Sequence, residues 1–267
     1  MIPTSAPVAS LGELLCLEEL SDGRFRGRNG VAHGVGSSLY GGQVAAQALR
    51  AASLTVAPGR LPHSLHCYFL RPGSPDQPVH LEVQRERDGR SSSARFVRAV
   101  QGDEVILSML TSFKVPEDGA AFDGAPCRAA PPPDRCPTIG WDDLIDVRMV
   151  SGRLVRPGVH LSDVAWMRAR DALPDDPVLH CCALVYLTDA GSGFAVLGHD
   201  GLPAGGASID HAVWFHQPIR ADDWVLLDME PIRASDARGT YAATARAADG
   251  RLGATVAQEL VLRVRSR

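Results

Sequence analysis

Two stretches of this chain alternate between hydrophobic and polar positions, and each is preceded by a run that is hydrophobic on nearly every side. Alternation at every second residue marks a strand with one buried face, whereas a segment apolar around its circumference reads as a buried helix. In the first block, residues 63–72 lead into Val79, Leu81 and Val83, and a charged turn at Arg87-Asp88-Gly89-Arg90 leads on to 94–100. A Gly102-Asp103 turn and the apolar run 105–113 complete it. In the second block, 209–218 lead into 224–229, a turn near 236–239, residues 241–247, an Asp249-Gly250 turn and 254–264. Turn residues between short alternating runs predict hairpins, so three or four antiparallel strands recur in one order. Phe69 and Pro72 stand against Phe215 and Pro218 at a constant offset, a weak internal repeat. The helix-like runs are 42–52 before the first set of strands and roughly 178–188 before the second. Periodicity alone therefore supports an α+β chain with a duplicated unit.

Between the blocks lies a stretch carrying Pro131, Pro132, Pro133 and Pro137 among glycines and many alanines, which cannot hold a helix and has little to bury. We expect an N-terminal domain over 9–115, a proline-rich linker over 116–140, and a C-terminal domain over 141–265. A chain of 267 residues accommodates two domains of ordinary size. The segment 138–173 has no reading from pattern.

Composition narrows the class. A formal net charge of -4 lacks the basic excess with which proteins displace counterions from phosphate backbones, so no nucleic-acid partner is expected. Lys114 is the only lysine beside 26 arginines, a bias that reads as codon usage because no basic cluster accompanies it. The six cysteines form no CxxC pair, so neither a zinc site nor a disulfide framework is expected, and Cys181-Cys182 read as small core residues. The first twenty residues lack the basic region of a secretory signal, no apolar run reaches the ~20 residues that span a bilayer, and Ser266-Arg267 is no peroxisomal address. These features lead us to expect a cytoplasmic protein without a membrane partner.

Three separated motifs carry a resemblance. They are Tyr40-Gly-Gly-Gln-Val-Ala-Ala-Gln-Ala-Leu49, then His63-Ser-Leu-His-Cys-Tyr-Phe-Leu-Arg-Pro-Gly73 with Arg87-Asp-Gly-Arg-Ser-Ser-Ser-Ala-Arg95. The third is Ile209-Asp-His-Ala-Val-Trp-Phe-His-Gln-Pro218 with Ala237-Arg-Gly239 and Val256-Ala-Gln-Glu259. In this order they resemble the type II acyl-CoA thioesterases, from about Leu11 to the C-terminus and least through the proline linker. The resemblance implies two fused hot-dog domains, each a central helix wrapped by an antiparallel β-sheet. It also implies hydrolysis of fatty acyl-CoA to free acid and CoA, and a homo-oligomer, dimer or tetramer. Carried over by motif, the catalytic residues are Asp189 in Tyr186-Leu-Thr-Asp189, Ser208 before Ile-Asp-His, and Gln258 before Glu259. Ser208 stands where the family more often has threonine, which keeps the hydroxyl and drops a methyl that stiffens the rotamer.

Those residue types suit the reaction. Thioester hydrolysis needs an aimed water, a base for its proton and a stabilised oxyanion, while the thiolate leaves with little acid assistance. Asp189 is the expected base, with the Ser208 hydroxyl and Gln258 amide orienting the same water. Taken alone, Asp189 reads as a helix C-terminal residue opposed by the dipole, Ser208 as a strand-start hydroxyl and Gln258 as solvent-facing. Ser208 falls against Pro62 and Gln258 against Thr111 in the repeat, so one active site per chain is expected.

Other polar residues have competing readings. His63 and His66 read first as structural strand histidines. Asp210 and His211 are adjacent on a strand and point to opposite faces, which argues against an acid-base couple. Gly41-Gly42 either lets backbone N–H groups approach an anion or carbonyl, or packs a buried helix start closely. A serine hydrolase is excluded by the missing Gly-x-Ser-x-Gly elbow, and no metal cluster or nucleotide fingerprint predicts a cofactor. A catalytically silent acyl-CoA binder and an enoyl-CoA hydratase-like enzyme remain as alternatives.

Overall fold

The computed structural model describes residues 8–30, 38–125, 127–156, 159–191, 193–194 and 206–263. The first half contains α1 (Leu11–Leu14), β1 (Glu18–Ser21), β2 (Arg24–Gly27), α2 (Gly41–Ser53), β3 (Leu61–Phe69), β4 (Val79–Asp88), β5 (Ser92–Gln101) and β6 (Glu104–Lys114). The second contains β7 (Thr138–Ile139), β8 (Ile145–Arg156), β9 (Val159–Ala169), α3 (Pro177–Thr188), β10 (Asp210–Phe215), β11 (Val225–Ser235), β12 (Arg238–Ala247) and β13 (Leu252–Val261). The expected linker span carries a 3-10 turn at Pro133–Arg135 and the buried Cys136, and β7 begins within it.

All the described strands join one antiparallel sheet in the order β1-β2-β4-β5-β6-β3-β10-β13-β12-β11-β9-β8-β7. The two halves meet at β3 and β10, where His66 pairs with Ala212 at the middle of the seam. Read outward from that seam, each half places its strands in the same sequence, so the molecule has a pseudo-twofold axis through the β3–β10 pair. The β8–β9 hairpin, which the sequence pattern left unexplained, occupies the place of β1–β2 in the second half. A helix wrapped by an antiparallel sheet, made twice, is the double hot-dog fold that the resemblance implied.

The helices form where the pattern placed them. Pro177 sits at the first position of α3, where its missing N–H costs nothing, and the Asp176 carboxylate accepts from the Val178 N–H. Both helices are buried over most of their length, and the Tyr40 ring meets the Tyr186 ring edge-on at 4.8 Å between centroids. Burying the polar Gln47 of α2 is tolerated because its amide donates to the carbonyls of Arg28 (2.6 Å) and Leu14 (3.2 Å).

Two sequence motifs find structural work here. Arg95, buried on β5, donates to the Asp88 carboxylate at 2.8 Å and to Thr55 just beyond α2, at Oγ1 (2.8 Å) and at the carbonyl (2.9 Å). It thereby ties the charged β4–β5 turn to the end of the helix. Gly239 is required by close approach, since a Cβ there would lie 2.4 Å from Leu262 and 2.7 Å from the Phe194 ring.

Candidate active site

Asp189 caps the C-terminus of α3, where carbonyl groups disfavour a carboxylate. The opposing arrangement comes from the other half of the molecule. The N-terminus of α2 faces Asp189, and the nearby Gly42 N–H holds its carboxyl down. A Cβ on Gly41 would lie 2.9 Å from Asp189 Oδ2 and 2.9 Å from the Phe69 ring, so the close approach needs glycine. Both readings of Gly41-Gly42 therefore hold at once: close packing and N–H groups turned to an anion.

Ser208 precedes β10 in an isolated bridge to Leu260, and Gln258 projects inward from β13. Gln258 Nε2 donates to Asp189 Oδ1 at 2.8 Å and also to Ser208 Oγ, and Ser208 Oγ donates to Asp189 Oδ1 at 3.4 Å. The three residues carried over by motif thus share one hydrogen-bonded cluster. Asp189 and Gln258 are buried. Burial pushes the Asp189 carboxyl above its ordinary value, opposed by the His211 ring and by hydrogen bonds from Gln258, Gly42 and Ser208.

Two further residues belong to this cluster and had no role from sequence. His211 Nδ1 lies 2.6 Å from Gln258 Oε1, and the Tyr241 hydroxyl donates to the same oxygen at 2.8 Å. On the far side, His211 Nε2 lies 3.0 Å from Thr188 Oγ1. These contacts set the orientation of the Gln258 amide. Gln258 directs Nε2 at Asp189 and Ser208, so its Oε1 must accept, and the proton on Nδ1 of His211 points to it. The Thr188 hydroxyl stands between His211 Nε2 and the Val185 carbonyl, to which it donates at 3.2 Å. Burial holds the His211 ring below its usual range, consistent with a neutral imidazole. The signal for His211 lay in strand parity, because Val213 two residues on is fully buried and His211 shares its face. Asp210 faces the other way and accepts from the Glu259 N–H at 2.7 Å, so the pair is no acid-base couple. His63 and His66 stay on the exposed face of β3, where His66 packs edge-on against Trp214.

A carboxylate buried between two hot-dog halves, bonded by an amide and a hydroxyl and facing the start of a helix, defines the class as a double hot-dog protein with one buried polar cluster. Comparison with known proteins makes it specific. Residues 30–114 match the family described as acyl-CoA thioesterase N-terminal domain, and 116–262 match acyl-CoA thioesterase C-terminal domain. The chain is 33% identical to human acyl-coenzyme A thioesterase 8 over 94% of its own length and 88% of that protein's. It is 38% identical to the crystal structure of the acyl-CoA thioesterase II TesB2 from Mycobacterium marinum, with a TM-score of 0.79 and 96% and 98% of the two chains covered. A hot-dog-fold protein from Alicyclobacillus acidocaldarius shares 20% identity with a TM-score of 0.77 over 96% and 98% of the chains, which shows the fold alone. The chain belongs to the acyl-CoA thioesterase II family and is by that membership a thioester hydrolase. Among the described residues no helix is long and apolar enough to cross a membrane.

Proposed function

We propose that this enzyme hydrolyses acyl-CoA by direct attack of a water that Asp189, Ser208 and Gln258 hold against the thioester carbonyl. The observation that carries this reading is the shared cluster: a buried carboxylate bonded at Oδ1 by Gln258 and Ser208 and lying against the glycine start of α2 at Oδ2. Asp189 takes a proton as the water oxygen bonds to the carbonyl carbon. The carbonyl oxygen becomes an oxyanion near the α2 N-terminus, where backbone N–H groups and the positive end of the dipole favour negative charge. Collapse of the tetrahedral intermediate breaks the carbon–sulfur bond and releases CoA thiolate and free acid. Proton loss from Asp189 then resets the site. Gln258 is held by His211 and Tyr241, so the amide is placed before substrate arrives.

A hydratase mechanism would need an imidazole free to move a proton. Both ring nitrogens of His211 are already engaged, by Gln258 and by Thr188, which favours hydrolysis. The test is release of free thiol from acyl-CoAs of short, medium and long chain, with Asp189→Ala beside the wild type. General-base catalysis is worth roughly 10²–10⁴ in rate, so the variant should lose at least ~100-fold in kcat while keeping its circular-dichroism spectrum. Unchanged turnover would move the base elsewhere, and wild-type binding without turnover would favour the silent binder. We also propose a homo-oligomer, supported by the exposed Tyr68, Leu110 and Trp214 on the outer sheet face around the pseudo-twofold axis. Sedimentation equilibrium reads it directly.

A further inference from the structure

The pseudo-twofold axis relates the catalytic cluster to a second place in the molecule. Exchange of the halves carries the start of β10, the end of β13 and the start of α2 onto the start of β3, the end of β6 and the start of α3. At that second place lies a cavity of about 440 Å³. Catalysis is lost there, because Pro62 stands for Ser208, and Thr111, which stands for Gln258, spends its hydroxyl on the Ser64 carbonyl at 3.0 Å. The second place is nevertheless open, with Leu61, Leu184, Phe215 and Ile219 among its walls.

One wall residue is chemically unfinished. His180, in the first turn of α3, is 95% buried, being 5% exposed. Its Nδ1 accepts from the Ala221 N–H at 3.2 Å, so the proton of the neutral ring sits on Nε2. That Nε2 has no hydrogen-bond partner and almost no exposed surface, so a ligand oxygen meets it through a small shift of the ring or of a neighbouring wall side chain. An unmet buried donor costs about 1–3 kcal/mol, so a ligand acceptor supplied there is favoured. Burial also holds the His180 ring below its usual range, which keeps the donor neutral.

Charge completes the selection. Lys114 lines the cavity and makes no ion pair among the described residues. Arg220 neutralises Asp175, which lines the cavity, and the buried Asp222, whose Oδ1 lies 3.8 Å from His180 Nδ1, while Arg251 is committed to Asp249. Glu117 stands exposed at the outer lip, where solvent screens it. The neighbouring Cys181 thiol is pushed up to about 12 by burial, so it presents no competing anion. We propose that this cavity is a second, non-catalytic site for a carboxylate on an alkyl chain, the chemical class of the reaction's own acid product. The alkyl chain lies along the apolar walls, the carboxylate accepts from His180 Nε2, and Lys114 balances its charge. A neutral alcohol would satisfy the donor and leave Lys114 unused. The site goes beyond the catalytic reading and does not depend on which residue is the base.

The experiment uses the full chain labelled with ¹⁵N-histidine and titrated with sodium decanoate, following the His180 Nε2 resonance assigned through its contact with the Ala221 amide. A saturable shift is expected in the wild type and equally in Asp189→Ala. The half-exposed Leu61→Trp, which narrows the cavity, should weaken binding at least tenfold, and Lys114→Ala severalfold. Decanol should bind at least tenfold more weakly than decanoate. No shift at saturating decanoate overturns the proposal. So does a shift kept in Leu61→Trp but lost in Asp189→Ala, which would put the acid in the catalytic cluster. Equal affinity for decanol would overturn the carboxylate assignment.

Discussion

A carboxylate raised by burial has two consequences that run in opposite directions with pH. The folded state holds the Asp189 proton more tightly than the unfolded chain, so its contribution to stability is greatest at low pH. That contribution is lost as pH rises from the ordinary carboxylate value of 3.8 through the raised folded value. Activity runs the other way, because the base must be ionised. The kcat/KM profile should therefore fall on its acid side through an apparent pKa above 3.8, and a flat profile down to pH ~4 would remove Asp189 as the base. His211 sharpens this test, because its hold on Gln258 keeps the amide N–H groups turned to the ionised carboxylate. In His211→Leu we expect kcat to fall about 10-fold or more with KM little changed, and the acid side of the profile to move to higher pH. Loss of packing alone would leave the profile in place. The three motif residues were legible only through resemblance, since each reads alone as an ordinary cap, strand-start hydroxyl or surface amide. Gln258 had a local signal in its neighbours Val256 and Leu260, both buried on its face of β13. Fixing that phase needs the helix against which the strand packs, and a single strand does not contain it.

Among the elements, the hairpins were read well where turn chemistry was plain and poorly where period two broke. The Gly89-Arg90, Gly102-Asp103 and Asp249-Gly250 turns all fall between paired strands, with Arg87 and Asp88 already in β4. The β8–β9 hairpin escaped because its register shifts at three places, and each shift flips the faces of the residues beyond it. β1 escaped for a different reason, being exposed at all four positions and so without an inward phase. The β11–β12 turn carries a strain that the sequence half announces. Asp236 and Ala237 take φ of 50° and 54°, a conformation aspartate tolerates and alanine does not favour. Ala237→Gly should raise the urea midpoint by the equivalent of about 1 kcal/mol with turnover unchanged. Gly41→Ala inverts that expectation. Alanine favours a helix by roughly 0.5–1 kcal/mol over glycine, yet its Cβ would press on Asp189 Oδ2 and on Phe69. Thiol release should drop at least tenfold in that variant, whatever its melting temperature does.

The whole molecule gives the first half a part in a site whose proposed catalytic residues all lie in the second. Asp189, Ser208 and Gln258 all lie in the second half, so a count of catalytic side chains would make 141–265 a sufficient enzyme. The structure distributes the site differently. The N–H that meets Asp189 comes from Gly42, the Tyr40 hydroxyl donates to the Tyr186 carbonyl near the end of α3, and β10 has β3 as its neighbour at the seam. Without the first half, β10 is an open edge and α3 loses the helix that covers it. Residues 141–265 expressed alone should therefore aggregate or stay inactive despite holding all three residues. Co-expression with 9–115 should restore thiol release, because the halves meet through strand pairing and helix packing that need no covalent link. Activity in 141–265 alone would show that the α2 N-terminus is dispensable and that the oxyanion is stabilised elsewhere. Failure of the pair to associate would show that the proline-rich stretch contributes to the core through Cys136 and β7, and is more than a tether.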